Sequence, residues 1–181
     1  MLPIFAILNL HMKKIFLAAL TLAFAASAFA QTEVTNEGGT KILKGFITKQ
    51  DLAADAAFPW FAEGVKGYTP EQGALASFKS AKDSIHILVF GGTWCGDTKA
   101  LFPKFFALTD AAGIPQDHIT ILGVDRSKKT VHHLTEAFNV TRVPTFIILK
   151  NGQEVGRVVE YGKYGMFDKE LGEIVAGVSK K

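Results

Sequence analysis

From residue 84 onward, short unbroken apolar runs alternate with segments whose apolar residues recur every three or four positions. Ile85, Ile87, Leu88, Val89 and Phe90 form one run, stopped by Gly91 and Gly92, and residues 119–124 (ITILGV) form another. Runs of this length, rich in β-branched residues, are buried strands. Between them Leu101, Phe102, Phe105 and Phe106 fall on one helical face, with Lys99 and Lys104 turned elsewhere, and Ala112-Gly113-Ile114-Pro115 closes the helix. Two short parallel strands around a helix make a βαβ unit. Residues 130–138 read as a further helix carrying His132 and His133, and residues 166–178 as a closing helix with Phe167, Leu171, Ile174, Val175 and Val178 at core spacing.

The pattern upstream is weaker. Residues 31–40 (QTEVTNEGGT) are polar and glycine-bearing and read as a flexible lead, while residues 42–48 alternate loosely, as an edge strand does. Residues 50–61 read as a helix broken or turned near Pro59, with Trp60 and Phe61 as packing residues. Thr69, Pro70 and Gln72 fit the N-cap, first and third positions of a helix whose buried face is Ala74, Leu75 and Phe78 and which ends at 82–84. The sum is one α/β sandwich, a mixed sheet with helices on both faces.

The first thirty residues do not belong to that domain. Met12, Lys13 and Lys14 give a positive start, residues 15–26 an apolar stretch, and Ala28-Phe29-Ala30 a small-x-small cleavage site before Gln31. Residues 1–30 therefore read as a secretory signal peptide, with Met12 as the expected initiator. A retained anchor is the alternative, but the apolar run falls short of the ~20 residues a span requires. The mature chain is expected in a periplasm or outside the cell, with no membrane span after cleavage.

At 181 residues the chain has room for one domain with a full core. Its formal charge is +3, and loss of Lys13 and Lys14 with the signal peptide leaves a single unit, which is no electrostatic footprint for nucleic acid. One cysteine in the whole chain cannot form an internal disulfide, so stability rests on the apolar core. An odd cysteine in an oxidising compartment marks a functional thiol or an intermolecular bridge. Adjacent histidines on a helix point in different directions, so His132 and His133 make no metal site, and no cofactor is expected.

That cysteine, Cys95, follows the first strand and opens the helix. Unpaired backbone N–H groups and the helix dipole, typically worth about 0.3–1 kcal/mol, favour the thiolate there, which is the reactive form. Asp97 suits the same dipole but repels a neighbouring thiolate, so the net activation is modest. Thr98, one turn along, is expected to donate a hydrogen bond to the sulfur anion.

Trp94-Cys95-Gly96-Asp97-Thr98-Lys99 resembles the thioredoxin motif W-C-G-P-C-K, and Pro103 matches that family's helix-kinking proline. Val143-Pro144-Thr145 resembles the segment in which a cis-proline faces the active-site cysteine; residues 146–150, Asn151-Gly152 and 154–159 are similar to its last hairpin. The resemblance runs in order from 85 to 178. It implies a thioredoxin-like three-layer sandwich over residues 84–181, preceded at 31–83 by a lead and an N-terminal helical extension. Cys95 and Thr98 would then hold the catalytic positions, with Trp94, Gly96, Asp97, Val143 and Pro144 contacting substrate.

The departures matter as much. Thr98 stands where the family has its second cysteine, and the family's buried aspartate and its partner lysine fall at Val89 and Ile121. A dithiol reductase forms a mixed disulfide and resolves it by internal attack; this chain has the means for the first step only. The expected function is monothiol thiol-disulfide exchange with a partner protein or a small-molecule thiol. The alternative is a redox-silent module that holds extended peptide beside Pro144. Peroxide reduction at Cys95 ranks last, since no arginine lies close to it in sequence. A monomer is expected.

Overall fold

The computed structural model describes residues 32–178. The expected signal peptide and Gln31 lie outside the described residues. Strands β1 (Thr32–Glu37), β2 (Thr40–Ile47), β3 (His86–Gly91), β4 (Ile119–Gly123), β5 (Thr145–Lys150) and β6 (Gln153–Val159) form one sheet in the order β1-β2-β4-β3-β5-β6. Helices α1 (Lys49–Ala53), α2 (Pro59–Glu63), α3 (Gln72–Ala81), α4 (Gly96–Ala112), α5 (Leu134–Ala137) and α6 (Phe167–Val178) complete it. β3 and β4 run parallel with α4 as their crossover, and every other pairing is antiparallel.

The central strand shows why the layers form. Successive side chains of β3 point to opposite faces, and both faces are apolar, so both must be covered. Ile87 and Val89 join a core built with α1–α4 and α6, whose largest members are Phe78, Phe102, Phe105, Phe106 and Phe146. Leu88 and Phe90 join a smaller core with Leu122, Val124, Val143 and Ile147, covered by Leu134 and Phe138 around α5. The result is a three-layer α/β sandwich. Phe61 is buried against Phe106 at a ring-centroid distance of 5.5 Å. Trp60 is half-buried beside Phe58 and Phe61, and among the described residues its Nε1 is the only buried side-chain nitrogen or oxygen without a hydrogen-bond partner.

Four expectations need correction. The supposed flexible lead is strand β1, joined to β2 across Gly38 and Gly39, both at positive φ as a two-residue hairpin turn requires. All six β1 residues are exposed, so burial leaves no period in the sequence, and the ladder to β2 is what holds the strand. β2 is consequently an interior strand, between β1 and β4. Helix α3 begins at Gln72 with Glu71 as its N-cap, because the Glu71 carboxylate accepts from both Gly73 N–H (3.0 Å) and Ala74 N–H (2.6 Å) and carries a full charge at the positive helix end. The helix expected over 130–138 is broken: His132 and His133 sit in the left-handed region (φ 53° and 54°), so a 3-10 turn at Val131–His133 precedes the single turn of α5.

A polar contact ties α3 to α6. The Tyr68 hydroxyl donates to Asp168 Oδ2 (2.7 Å), and the Glu71 N–H donates to the same oxygen (3.2 Å). Burial, then the Asp168 charge, push the Tyr68 phenol far above its usual range. A raised folded-state value means the contribution is complete below the unfolded phenol's pKa of about 10 and is lost as pH rises beyond it. Tyr68→Phe is expected to cost about 1–3 kcal/mol near neutral pH, the worth of a hydrogen bond to a charged acceptor, and to flatten the alkaline loss of stability. Thermal midpoints of the two proteins at pH 8 and pH 11 check this; parallel losses would refute it.

Candidate active site

Cys95 occupies the N-cap of α4, with φ −80° and ψ 130°. Its N–H donates to Gly92 O (2.8 Å) and its carbonyl accepts from Lys99 N–H (3.0 Å), which fixes the turn between β3 and the helix. The side chain is half-exposed. Its Sγ donates to Val143 O (3.4 Å), in the loop before β5, and makes no capping hydrogen bond to the first amides of α4. The Val143–Pro144 peptide bond is cis. The sheet order thus brings Cys95 and Val143–Pro144 together, since β3 and β5 are antiparallel neighbours and the two loops leave the same end.

Trp94 packs behind the thiol. Its Nε1 donates to Val124 O (3.0 Å), and Arg126 stacks over its ring at 5.6 Å. Arg126 in turn pairs with Glu37 (3.2 Å), so the end of β1 supports the site from which the sequence pattern had separated it. Gly92 is required here, because a Cβ at that position would lie 2.6 Å from the indole nitrogen of Trp94. Thr93, absent from the expected set, is 2% exposed; its hydroxyl donates to Lys41 O (2.9 Å) and accepts from Leu43 N–H (3.3 Å), stitching the cysteine turn to β2. Only an alternation between the turn and a strand fifty residues earlier would have revealed it, and no such signal exists.

Thr98 behaves differently from expectation. It is fully buried, and its Oγ1 accepts from Gly92 N–H (3.2 Å). The expected hydrogen bond to the Cys95 sulfur is not made: on the first turn of α4 the hydroxyl faces back towards the β3 end, where an amide would otherwise stay unsatisfied. Gly96 is exposed, and Asp97 is half-exposed on the same turn as the sole acidic residue there. Val89 and Ile121 are register partners across β3 and β4, both buried (0% and 4% exposed), so the place where the resemblance implies a proton-handling pair is apolar packing.

Tyr161 is the site residue that no sequence pattern announces. It follows β6 and is 39% exposed. Burial, then the nearby Asp97 and Cys95 charges, raise its phenol above the usual range. Among the described residues no group of three or more His, Cys, Asp or Glu is placed to hold a metal ion, and no helix is long and apolar enough to cross a membrane.

The arrangement is a half-exposed thiol at the start of a long helix, with its sulfur against the carbonyl that precedes the cis Val143–Pro144 bond. Disulfide exchange requires an accessible thiol of this kind. Comparison with known proteins gives the same direction. The family model described as Thioredoxin matches residues 73–171, more than half of the chain. A thioredoxin of Chlamydia trachomatis is 36% identical over 91 residues, covering 50% of this chain and 78% of that protein. A thioredoxin of Echinococcus granulosus is 31% identical over 84 residues, covering 46% and 73%. Thioredoxin NaTrxh from Nicotiana alata is a solved structure 27% identical to this chain, covering 56% of it and 78% of its own length, with a TM-score of 0.40. A strand, the cysteine turn, its helix and the proline loop fall within the matched segment in the family's order, and on that ground the chain belongs to the thioredoxin family of thiol-disulfide redox proteins.

Proposed function

We propose that this protein is exported and carries out monothiol thiol-disulfide exchange through Cys95. The observation that carries the reading is the pairing of a half-exposed Cys95, against Val143 and Pro144, with a buried threonine at the position one helical turn later. In the first step the Cys95 thiolate attacks one sulfur of a partner disulfide. A new S–S bond forms to Cys95, and the other partner sulfur leaves as a thiolate and takes up a proton. An external small-molecule thiolate then attacks the partner's sulfur in the mixed disulfide; Cys95 leaves as thiolate, and the partner retains a disulfide to the small thiol. Cys95 ends as it began, so no second cysteine is needed. Export is supported by the run from Met12 to Ala30, with its lysines, apolar stretch and Ala28-Phe29-Ala30.

One measurement tests both parts. Protein isolated from its own compartment, with free thiols blocked at lysis, is expected to show an intact mass that begins at Gln31 and carries a reductant-sensitive adduct on Cys95; Cys95→Ser carries none. A chain still bearing Lys13 and Lys14 would overturn export. A free Cys95 that also forms no adduct on incubation with glutathione disulfide would favour the redox-silent binding module.

A further inference from the structure

Two histidines meet at the end of the sheet remote from Cys95. β3 and β4 are parallel neighbours with Ile87 opposite Ile119, so His86 and His118, each one residue earlier, fall side by side. Their rings stack at a centroid distance of 4.2 Å with 19° between the planes. His86 is exposed and His118 half-buried. Cys95 lies beyond the other end of β3, and the six residues of that strand, at about 3.3 Å each, keep the imidazoles roughly 17 Å from the cysteine turn.

The surroundings of His118 decide which of its nitrogens is available. Nδ1 lies 3.2 Å from the carbonyl oxygen of Lys82, and a carbonyl only accepts, so Nδ1 carries the proton and Nε2 of the neutral ring keeps its lone pair. A histidine whose other nitrogen donates to a backbone carbonyl is held as metal ligands usually are, with tautomer and ring orientation fixed. Two nitrogens on one ion, each bonded at about 2.0–2.1 Å, lie about 3 Å apart. Rings stacked at 4.2 Å come within that reach when the exposed His86 ring tilts about its side-chain bonds, while His118 stays anchored on Lys82. Two imidazoles leave the remaining coordination positions to water, so an ion held here is exchangeable, unlike one in a closed four-ligand structural site. Imidazole suits zinc, nickel and copper, and among divalent first-row ions copper binds such nitrogens most tightly.

We propose that His86 and His118 form an exchangeable two-imidazole site for a late first-row divalent cation, with Cu²⁺ bound most tightly. The site is independent of the chemistry of Cys95. Its test uses the full chain carrying Cys95→Ser, so that copper neither binds nor oxidises a thiol, and titrates that chain with Cu²⁺ by calorimetry and electron paramagnetic resonance. One ion per chain is expected, with a spectrum split by coordinated nitrogen. His86→Asn and His118→Asn are each expected to weaken binding about tenfold or more, since the loss of either ring ends chelation. His86→Phe keeps a ring stacked on His118 without a nitrogen; it is expected to weaken binding as much and to leave the thermal midpoint of the metal-free protein unchanged. The other histidines, His11, His132 and His133, changed together to Asn, are expected to leave the affinity as it was. Binding that survives His86→Phe, or that disappears with the changes at His11, His132 and His133, overturns the proposal. An affinity no higher than that of the double variant His86→Asn/His118→Asn overturns it as well.

Discussion

Thr98→Cys is expected to turn over insulin disulfides with an external dithiol as reductant, where the natural sequence gives no turnover beyond the reductant's own background. Reduction of a protein disulfide to two thiols takes two electrons, and a single thiol ends at a mixed disulfide. Positions 95 and 98 are the N-cap and third residue of α4, on one turn of the helix, so two sulfurs there can meet. The substitution removes a hydroxyl that accepts from Gly92 N–H and puts a weaker acceptor in its place, a small loss beside the gain of a resolving group. Turnover should nevertheless be slow. Position 98 is fully buried, and Val89 and Ile121, packed against each other across the sheet, offer no acid or base to take the new thiol's proton. Adding Cys95→Ser to Thr98→Cys must abolish the activity. Robust turnover by the natural sequence, unchanged in Cys95→Ser, would remove Cys95 from the chemistry altogether.

Phe146→Ala is expected to destabilise the protein by about 3–5 kcal/mol, the usual range for deleting a buried aromatic ring and leaving its cavity. Phe146 on β5 is 0% exposed and meets Phe105 at 5.0 Å, Phe167 at 5.6 Å and Phe102 at 6.1 Å between ring centroids. It therefore joins the sheet to both α4 and α6, and α4 is the helix that presents Cys95. Total stability of a domain is typically about 5–15 kcal/mol, and the one cysteine of this chain gives no disulfide to supplement it. The thermal midpoint should fall by roughly 10 °C. Denaturant unfolding followed by tryptophan fluorescence measures the effect. Val34→Ala, at a position 54% exposed on β1, should change stability by less than about 0.5 kcal/mol and serves as the control. A loss under about 1 kcal/mol for Phe146→Ala would mean that the aromatic cluster is not what holds α4 to the sheet.

Elements that bury a face are legible in local spacing. The run from Ile85 to Phe90, the period of Leu101, Phe102, Phe105 and Phe106, and that of Phe167, Leu171, Val175 and Val178 each encode burial in local spacing, and β3, α4 and α6 stand where those spacings put them. Cys95 at the start of α4 followed from the change of period alone. Elements and contacts that bury nothing, or that bridge distant segments, left no such trace. β1 is wholly exposed and exists through its ladder to β2; the left-handed backbone at His132 and His133 cuts a helix whose residues would otherwise propagate it. Sheet order and register, by contrast, settle that Thr98 serves Gly92 and not the sulfur, that Val89 faces Ile121, and that Glu37 reaches Trp94 through Arg126. Periodicity records which side of an element faces the core, whereas the partners of a polar group at a loop are set by sheet order, which brings together ends of strands far apart in the chain.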